Sequence, residues 1–428
     1  MRETKESGIE WIGEIPNGWK INCIKHNYYI LAGSTPKSER EEYWDGNILW
    51  ITPADYKTRD KYVEAGRRNI SDKGYMSCGT TMIPVGSIIF SKRAPIGTVA
   101  INKVELCTNQ GCLACVAKSD RVNNEYFYYA ISVATEQFEL LSSGTTFKEI
   151  SANGFSNVKL PLPSFETQVT IVNFLNRKCS EIDDLMFNIQ TQVDSLGEYK
   201  GSVINEAVTM GLNPNVEVID SGIEWCPAIP NHWSVINPKA LFSLRNQRAI
   251  QGERQLTASQ KLGIVYQDEF MEAEGQKVVT VEKDFSILKH VEPNDFVISM
   301  RSFQGGLEYS ELSGSISSAY VMLIPNNEKV FPPFWRWFFK SNKYINALQS
   351  TTNLVRDGQA MRYSNFIKVP LFLIPKEEQV KIADYLDKKC KGIHEIIKIK
   401  KMLISTLEEY KKSLIYEYVT GKKEVPNE

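Results

Sequence analysis

Apolar residues fall at alternating steps of three and four in two stretches of the chain. Val172, Leu175, Cys179, Ile182, Met186, Ile189, Val193 and Leu196 form one series. Ala383, Leu386, Cys390, Ile393, Ile397, Ile404 and Leu407 form the other, with Lys400 interrupting one position. This spacing is the seam of a coiled coil. It predicts two helices of about 40 residues, roughly 60 Å each at 1.5 Å per residue. Elsewhere the pattern is shorter. Between residues 20 and 165, β-rich runs at 47–53, 86–90 and 97–101 alternate with turn signals. Phe127, Ala130, Ile131, Ala134, Phe138 and Leu141 recur at helical spacing, which predicts one helix over 124–141.

The same plan occurs twice. Ser7-Gly8-Ile9-Glu10-Trp11, Ile15-Pro16-Asn17 and Trp19 return 214 positions later as Ser221-Gly222-Ile223-Glu224-Trp225, Ile229-Pro230-Asn231 and Trp233. Lys159-Leu160-Pro161-Leu162 returns as Lys368-Val369-Pro370-Leu371, and Gln168-Val169 as Gln379-Val380. So long a shift marks a duplicated domain, since solenoid repeats run to roughly 20–50 residues. The expected fold is α+β: two similar mixed α/β bodies, over 1–164 and 213–374, each followed by a long helix, over 165–212 and 375–428. The two helices carry complementary charge, with three basic and seven acidic residues over 166–210 against ten and eight over 376–420. Pairing as an antiparallel coiled coil with pseudo-twofold symmetry is therefore expected, through Leu175, Ile182, Ile189 and Leu196 on one helix and Leu386, Ile393, Ile397 and Leu407 on the other. The alternative is that each helix lies on its own body.

Composition narrows the function. With 428 residues, 42% of them hydrophobic and 11% aromatic, the chain can form two cores and reads as folded throughout. No apolar run reaches the roughly 20 residues of a membrane span, and residues 1–6 lack the apolar core of a signal peptide, so a cytoplasmic protein with free thiols is expected. A net charge of -1 means that any DNA surface is local. His26, His232, His290 and His394 are too few and too scattered for histidine catalysis or a metal centre.

Catalytic loops are also missing. Phe331-Pro332-Pro333-Phe334 lacks the polar first residue with which a DNA methyltransferase holds its target base, and no Gly-x-x-x-x-Gly-Lys-Ser/Thr loop occurs. Cys107, Cys112 and Cys115 copy an iron–sulfur spacing, but Cys112 to Ala117 reads as a buried strand, which predicts core thiols. What remains is a polar and cationic set at equivalent places in the two bodies. Lys92 and Arg93 before Gly97 correspond to Met300 and Arg301 before Gly305. Asn109-Gln110 corresponds to Ser317-Ser318, and Lys148 to Arg356. Arginine is the common bidentate reader of guanine, and asparagine or glutamine of adenine, so these residues, with Gln304 and Arg362, are candidate DNA contacts. For each, an ordinary ion pair or strand-end hydrogen bond is the alternative.

With these features, the chain resembles the specificity subunits of type I restriction-modification systems. The resemblance rests on the two half-openers, the Gly33-Ser34-Thr35-Pro36 turn, Trp50-Ile51-Thr52-Pro53, Ser71-Asp72-Lys73-Gly74, and the exits Leu160-Pro161-Leu162-Pro163 and Val369-Pro370 into glutamine-bearing helices. It implies that each body is a target recognition domain for one half of a bipartite site in double-stranded DNA, with Thr35 and Thr52 among its contacts. It implies helices that fix the spacing and dock two modification subunits, which hold S-adenosylmethionine and methylate adenine. Restriction subunits can join the complex. This chain itself is then expected to hold no cofactor or metal and to carry no catalytic residue. Two other readings are a bivalent protein scaffold that never touches DNA, and a stand-alone methyltransferase or nuclease.

Overall fold

Ile88 and Phe90 face one side of a strand and Ile89 the other, and all three are fully buried, so the strand must be covered on both faces. The computed structural model describes residues 3–57, 60–93, 95–144, 148–275, 278, 280, 285–300, 302–351 and 361–426. In it, Ile88–Ser91 is the middle strand of a five-stranded sheet ordered Tyr28–Ala32, Cys112–Ala117, Ile88–Ser91, Val99–Asn102 and Tyr62–Val63. All pairings are antiparallel except the last. One face, with Ile88, Phe90, Leu113 and Cys115, packs on the aromatic helix Asn124–Ser132. The other, with Ile89, Ala100, Cys112 and Ala114, packs on Ile51, Tyr56, Ile83 and Leu106. A smaller sheet, Cys107–Thr108, Trp44–Ile51 and Arg68–Ile70, extends this body.

The single helix expected over 124–141 is two, Asn124–Ser132 and Thr135–Leu140. The bend at Val133 and Ala134 has a packing reason, because it lets Phe138 meet Phe90 at 4.8 Å and Phe155 at 5.3 Å between ring centres. The three closely spaced cysteines do not converge. Cys107, Cys112 and Cys115 lie in three different apolar clusters. Burial pushes the Cys107 thiol up to about 11, that of Cys112 up to about 12 and that of Cys115 up as well, as desolvation of a thiolate requires.

The chain divides into two compact units, residues 1–189 with 402–428, and residues 190–401. Each contains one mixed α/β body and part of both long helices, Phe165–Met210 and Lys376–Val419. The second unit is built on a four-stranded sheet, Phe242–Leu244, Val321–Pro325, Phe296–Ile298 and Glu308–Tyr309. The repeated openers become equivalent hairpins, Thr4–Glu6 with Glu14–Pro16 and Val218–Asp220 with Ala228–Pro230. The exits pair back onto the strands after the openers, Lys159–Leu162 on Lys20–Cys23 and Leu371–Leu373 on Ser234–Ile236.

Within each unit the two helical segments run antiparallel. In the first, Phe174 meets Tyr418 at 4.5 Å and Asp183 takes the Lys411 ammonium at 2.6 Å. In the second, Gln192 accepts from Lys400, the residue that interrupts the seam, and Lys389 lies over the Tyr199 ring. Leu175, Ile182, Ile189, Leu386 and Ile393 are buried, whereas Leu196, Ile397 and Leu407 are half-buried. Within each unit the two helical segments therefore touch each other. Near each body, Leu175 and Leu386 belong to the body's own core as well as to the helix pair.

A buried glutamine opens each long helix. Gln168 accepts from the Asn123 N–H at 3.0 Å and donates to the Pro163 carbonyl at 3.1 Å. Gln379 accepts from the Phe331 N–H at 2.8 Å and the Trp335 indole at 3.0 Å, and donates to the carbonyls of Lys329 and Ile374 at 2.8 and 2.9 Å. In each unit this amide joins the long helix to the start of the aromatic helix.

Candidate nucleic-acid interface

The sheet register brings together residues that are far apart in the sequence. Cys112 pairs with Ser91 and Leu113 with Ala32, so the turns after Ala32 and Ser91 and the turn before Cys112 lie at one end of the sheet. The chains approach too closely for a side chain on one of them. A Cβ on Gly33 would sit 2.2 Å from the Thr108 carbonyl oxygen and 2.3 Å from that of Asn109. Ser34 N–H donates to the Thr108 carbonyl, Asn109 N–H to that of Ile51, and Lys92 N–H to that of Gly111.

Six of the expected contact residues of the first body therefore lie on one cluster of loops: Thr35, Thr52, Lys92, Arg93, Asn109 and Gln110. Thr35 donates to the Gln110 side-chain oxygen, and Gln110 is exposed. Asn109 folds back, its Oδ1 accepting from Gly111 N–H at 2.9 Å. Thr52 shapes its own turn, its N–H and hydroxyl both donating to Asp55 at 2.7 Å and its hydroxyl oxygen accepting from Ala54 N–H at 3.3 Å, which leaves one hydroxyl lone pair for a ligand.

Lys92 and Arg93 form the ion pair that the sequence left open as the alternative. Both meet Glu149, Lys92 Nζ at 2.7 Å and Arg93 at 3.4 Å. The backbone fixes this, since Arg93 and Glu149 form an antiparallel bridge and Ile150 N–H donates to the Lys92 carbonyl. The Lys92 hydrogen bond, chiefly, and the Arg93 guanidinium hold the Glu149 carboxyl below the usual carboxylate range. A carboxylate depressed by the fold stabilises it above its ordinary pKa, and that contribution fades as pH falls through the lowered value. Lys148 is exposed beside this ladder. Sequence reasoning missed Glu149. It stands 56 residues from Arg93, and no local pattern links the two.

In the second body, Val321 pairs with Ile298, so the turn carrying Gln304 and that carrying Ser317 and Ser318 also share one sheet end. Lys340 steadies the first turn by donating to the Gly305 carbonyl at 2.9 Å and to Glu308. Gly306 is required beside it, for its φ is +75° and a Cβ would lie 1.9 Å from the Phe339 carbonyl oxygen. Gln304 and Ser318 are exposed, and Ser317 Oγ accepts from Ala319 N–H at 3.3 Å. Arg362 opens the short helix Tyr363–Phe366, its N–H donating to Asn365. Arg301 and Arg356 lie outside the described residues.

Residues 16–194 match the type I restriction modification DNA specificity domain. The type I restriction enzyme MjaIX specificity subunit of Methanocaldococcus jannaschii is 39% identical over 197 residues, 45% of this chain and 44% of that protein. The MjaVIII specificity subunit of the same organism is 21% identical across 96% of this chain and 95% of its own length. The chain is similar to type I specificity subunits, and residues 16–194 carry the match to their DNA specificity domain. The matches to MjaIX and to the putative MjaX specificity subunit, 25% identical, each span less than half of the relative. Among solved structures, a chain from a study of type I R-M complex assembly and conformational transition aligns over 96% of this chain and 99% of its own, with a TM-score of 0.71 at 13% identity. The HsdS subunit of Thermoanaerobacter tengcongensis aligns over 96% of this chain and 98% of its own, with a TM-score of 0.51 at 14% identity. These two likenesses concern the fold. Among the described residues, no helix is long and apolar enough to cross a membrane.

Proposed function

We propose that the chain is a type I specificity subunit that recognises a bipartite DNA target in the cytoplasm, each mixed α/β body reading one half. Residues 1–164 and 213–374 act as the two target recognition domains. The helices over 165–212 and 375–428 pair as an antiparallel coiled coil, set the gap between half-sites and dock two modification subunits. Those subunits supply S-adenosylmethionine and methylate adenine, and restriction subunits can join them. The chain itself is the reader and not the catalyst.

The observation that carries this reading is the loop cluster of the first body. Separate strands deliver amide, hydroxyl and cationic groups to one sheet end, the mixture that base and phosphate recognition requires. The duplicated openers, exits and glutamine joints support two readers on one scaffold. Exchanging residues 20–160 for the first body of another family member should change one half of the methylated motif and leave the other intact. Sequencing of methylated adenines reads the result, and a change in both halves would refute independent reading.

Arg93→Ala is expected to weaken binding to cognate and mismatched duplexes alike and to lower the salt slope by about one, the signature of a lost phosphate contact. Titration of cognate and single-mismatch duplexes at several salt concentrations checks this. Unchanged affinity and unchanged salt dependence would remove Arg93 from the interface.

A further inference from the structure

Glu149 lies among the candidate DNA contacts, where a negative charge opposes phosphate binding. It is half-exposed, fixed by backbone bonds on either side, and shared by two cations that are themselves well placed for DNA. Lys92 Nζ is the more sheltered cation, at 16% side-chain exposure, whereas Arg93 and Glu149 are each 37% exposed. The three charges sum to +1 while Glu149 remains on the cations. Lys92 N–H also bonds to the carbonyl of Gly111, next to exposed Gln110. Lys92 thus links the carboxylate, through its side chain, to the residue that follows Gln110, through its backbone.

We propose that Glu149 is a specificity-determining residue of the first body, which makes the phosphate contacts of Lys92 and Arg93 conditional on the base it meets. This rests on the reading of the body as a DNA-binding domain. A carboxylate accepts hydrogen bonds and does not donate them. In the major groove its partner is an exocyclic amine, that of cytosine in the common pairing. On a duplex presenting that amine, Glu149 turns to the base and releases the cations to the backbone. On a duplex presenting a carbonyl there, Glu149 gains no partner, stays on Lys92 and Arg93, and holds their charge from the phosphates. A carboxylate that only braced the loop would affect all duplexes alike.

The test uses the full chain in complex with its modification subunits. The duplexes are one carrying the motif found by methylation mapping, the four base-pair variants at each first-half position, and one lacking the motif. Glu149→Gln keeps the shape, removes the charge and adds an amide donor. It is expected to bind motif-free DNA several-fold more tightly, with a salt dependence steeper by about one released counterion. At one first-half position, the preference for the cognate pair should fall at least about fivefold, the lower end of what one base contact gives. The double variant Lys92→Gln with Glu149→Gln should lose the gain on motif-free DNA, and thermal melting shows whether each variant is folded. A variant that melts like the parent but keeps the parent's selectivity and salt slope overturns the proposal while the DNA-binding reading stands. A parent complex without salt-dependent DNA binding sinks both.

Discussion

Replacing Gln379 with leucine is expected to lower the stability of the full chain by about 3–5 kcal/mol, a large part of the roughly 5–15 kcal/mol typical of a folded domain. The residue is fully buried, and its amide uses both lone pairs and both protons in the four bonds to Phe331, Trp335, Lys329 and Ile374. Leucine is of similar size, so the cavity cost is small. The bonds to Trp335 and Ile374 are buried and those to Phe331 and Lys329 partly so; a buried orphan typically costs about 1–3 kcal/mol, less where water or another partner reaches it. Gln168→Leu, which breaks two such bonds, should cost about half as much. Urea denaturation of the two variants and the parent gives the comparison. A loss below about 1 kcal/mol for Gln379→Leu would show that the helix joint does not depend on this amide.

Insertion of four residues after Ile189 and another four after Lys401 should widen the gap between half-sites by about two base pairs. Each helix lengthens by about 6 Å, close to two steps of about 3.4 Å along the duplex. The insertion turns each helix by about 400°, leaving about 40°, while two base pairs turn by about 70°. The remaining difference is small, and paired helices accept a four-residue insertion by local unwinding. Placing insertions in both helices keeps Asp183 with Lys411 and Gln192 with Lys400. An insertion after Val208 would instead disturb the second body, because Val208 is fully buried in its core. Methylation with an unchanged gap would show that something other than helix length sets the spacing.

The sequence revealed whatever is periodic or repeated. The three-four series marked both long helices, and the duplicated openers and exits marked strands that pair in the same way in the two units. The break near Val133 was not visible, because Phe138 keeps helical spacing while its packing on Phe90 and Phe155 depends on residues far away in sequence. The candidate site was legible to the same extent. Residue type singled out Lys92, Arg93, Asn109 and Gln110, and strand register brings them together. Their partners were hidden, since the link from Arg93 to Glu149 and from Gly33 to Thr108 arises only from tertiary contact.

The central claim is that two bodies on one scaffold read two parts of one DNA target. Its most direct test is to map the adenines methylated when this chain is combined with the proposed modification subunits, with a control that omits the chain. The account predicts two short specified elements separated by an unspecified gap of constant length, and no such pattern in the control. A single uninterrupted motif, or methylation that is the same without this chain, would contradict it.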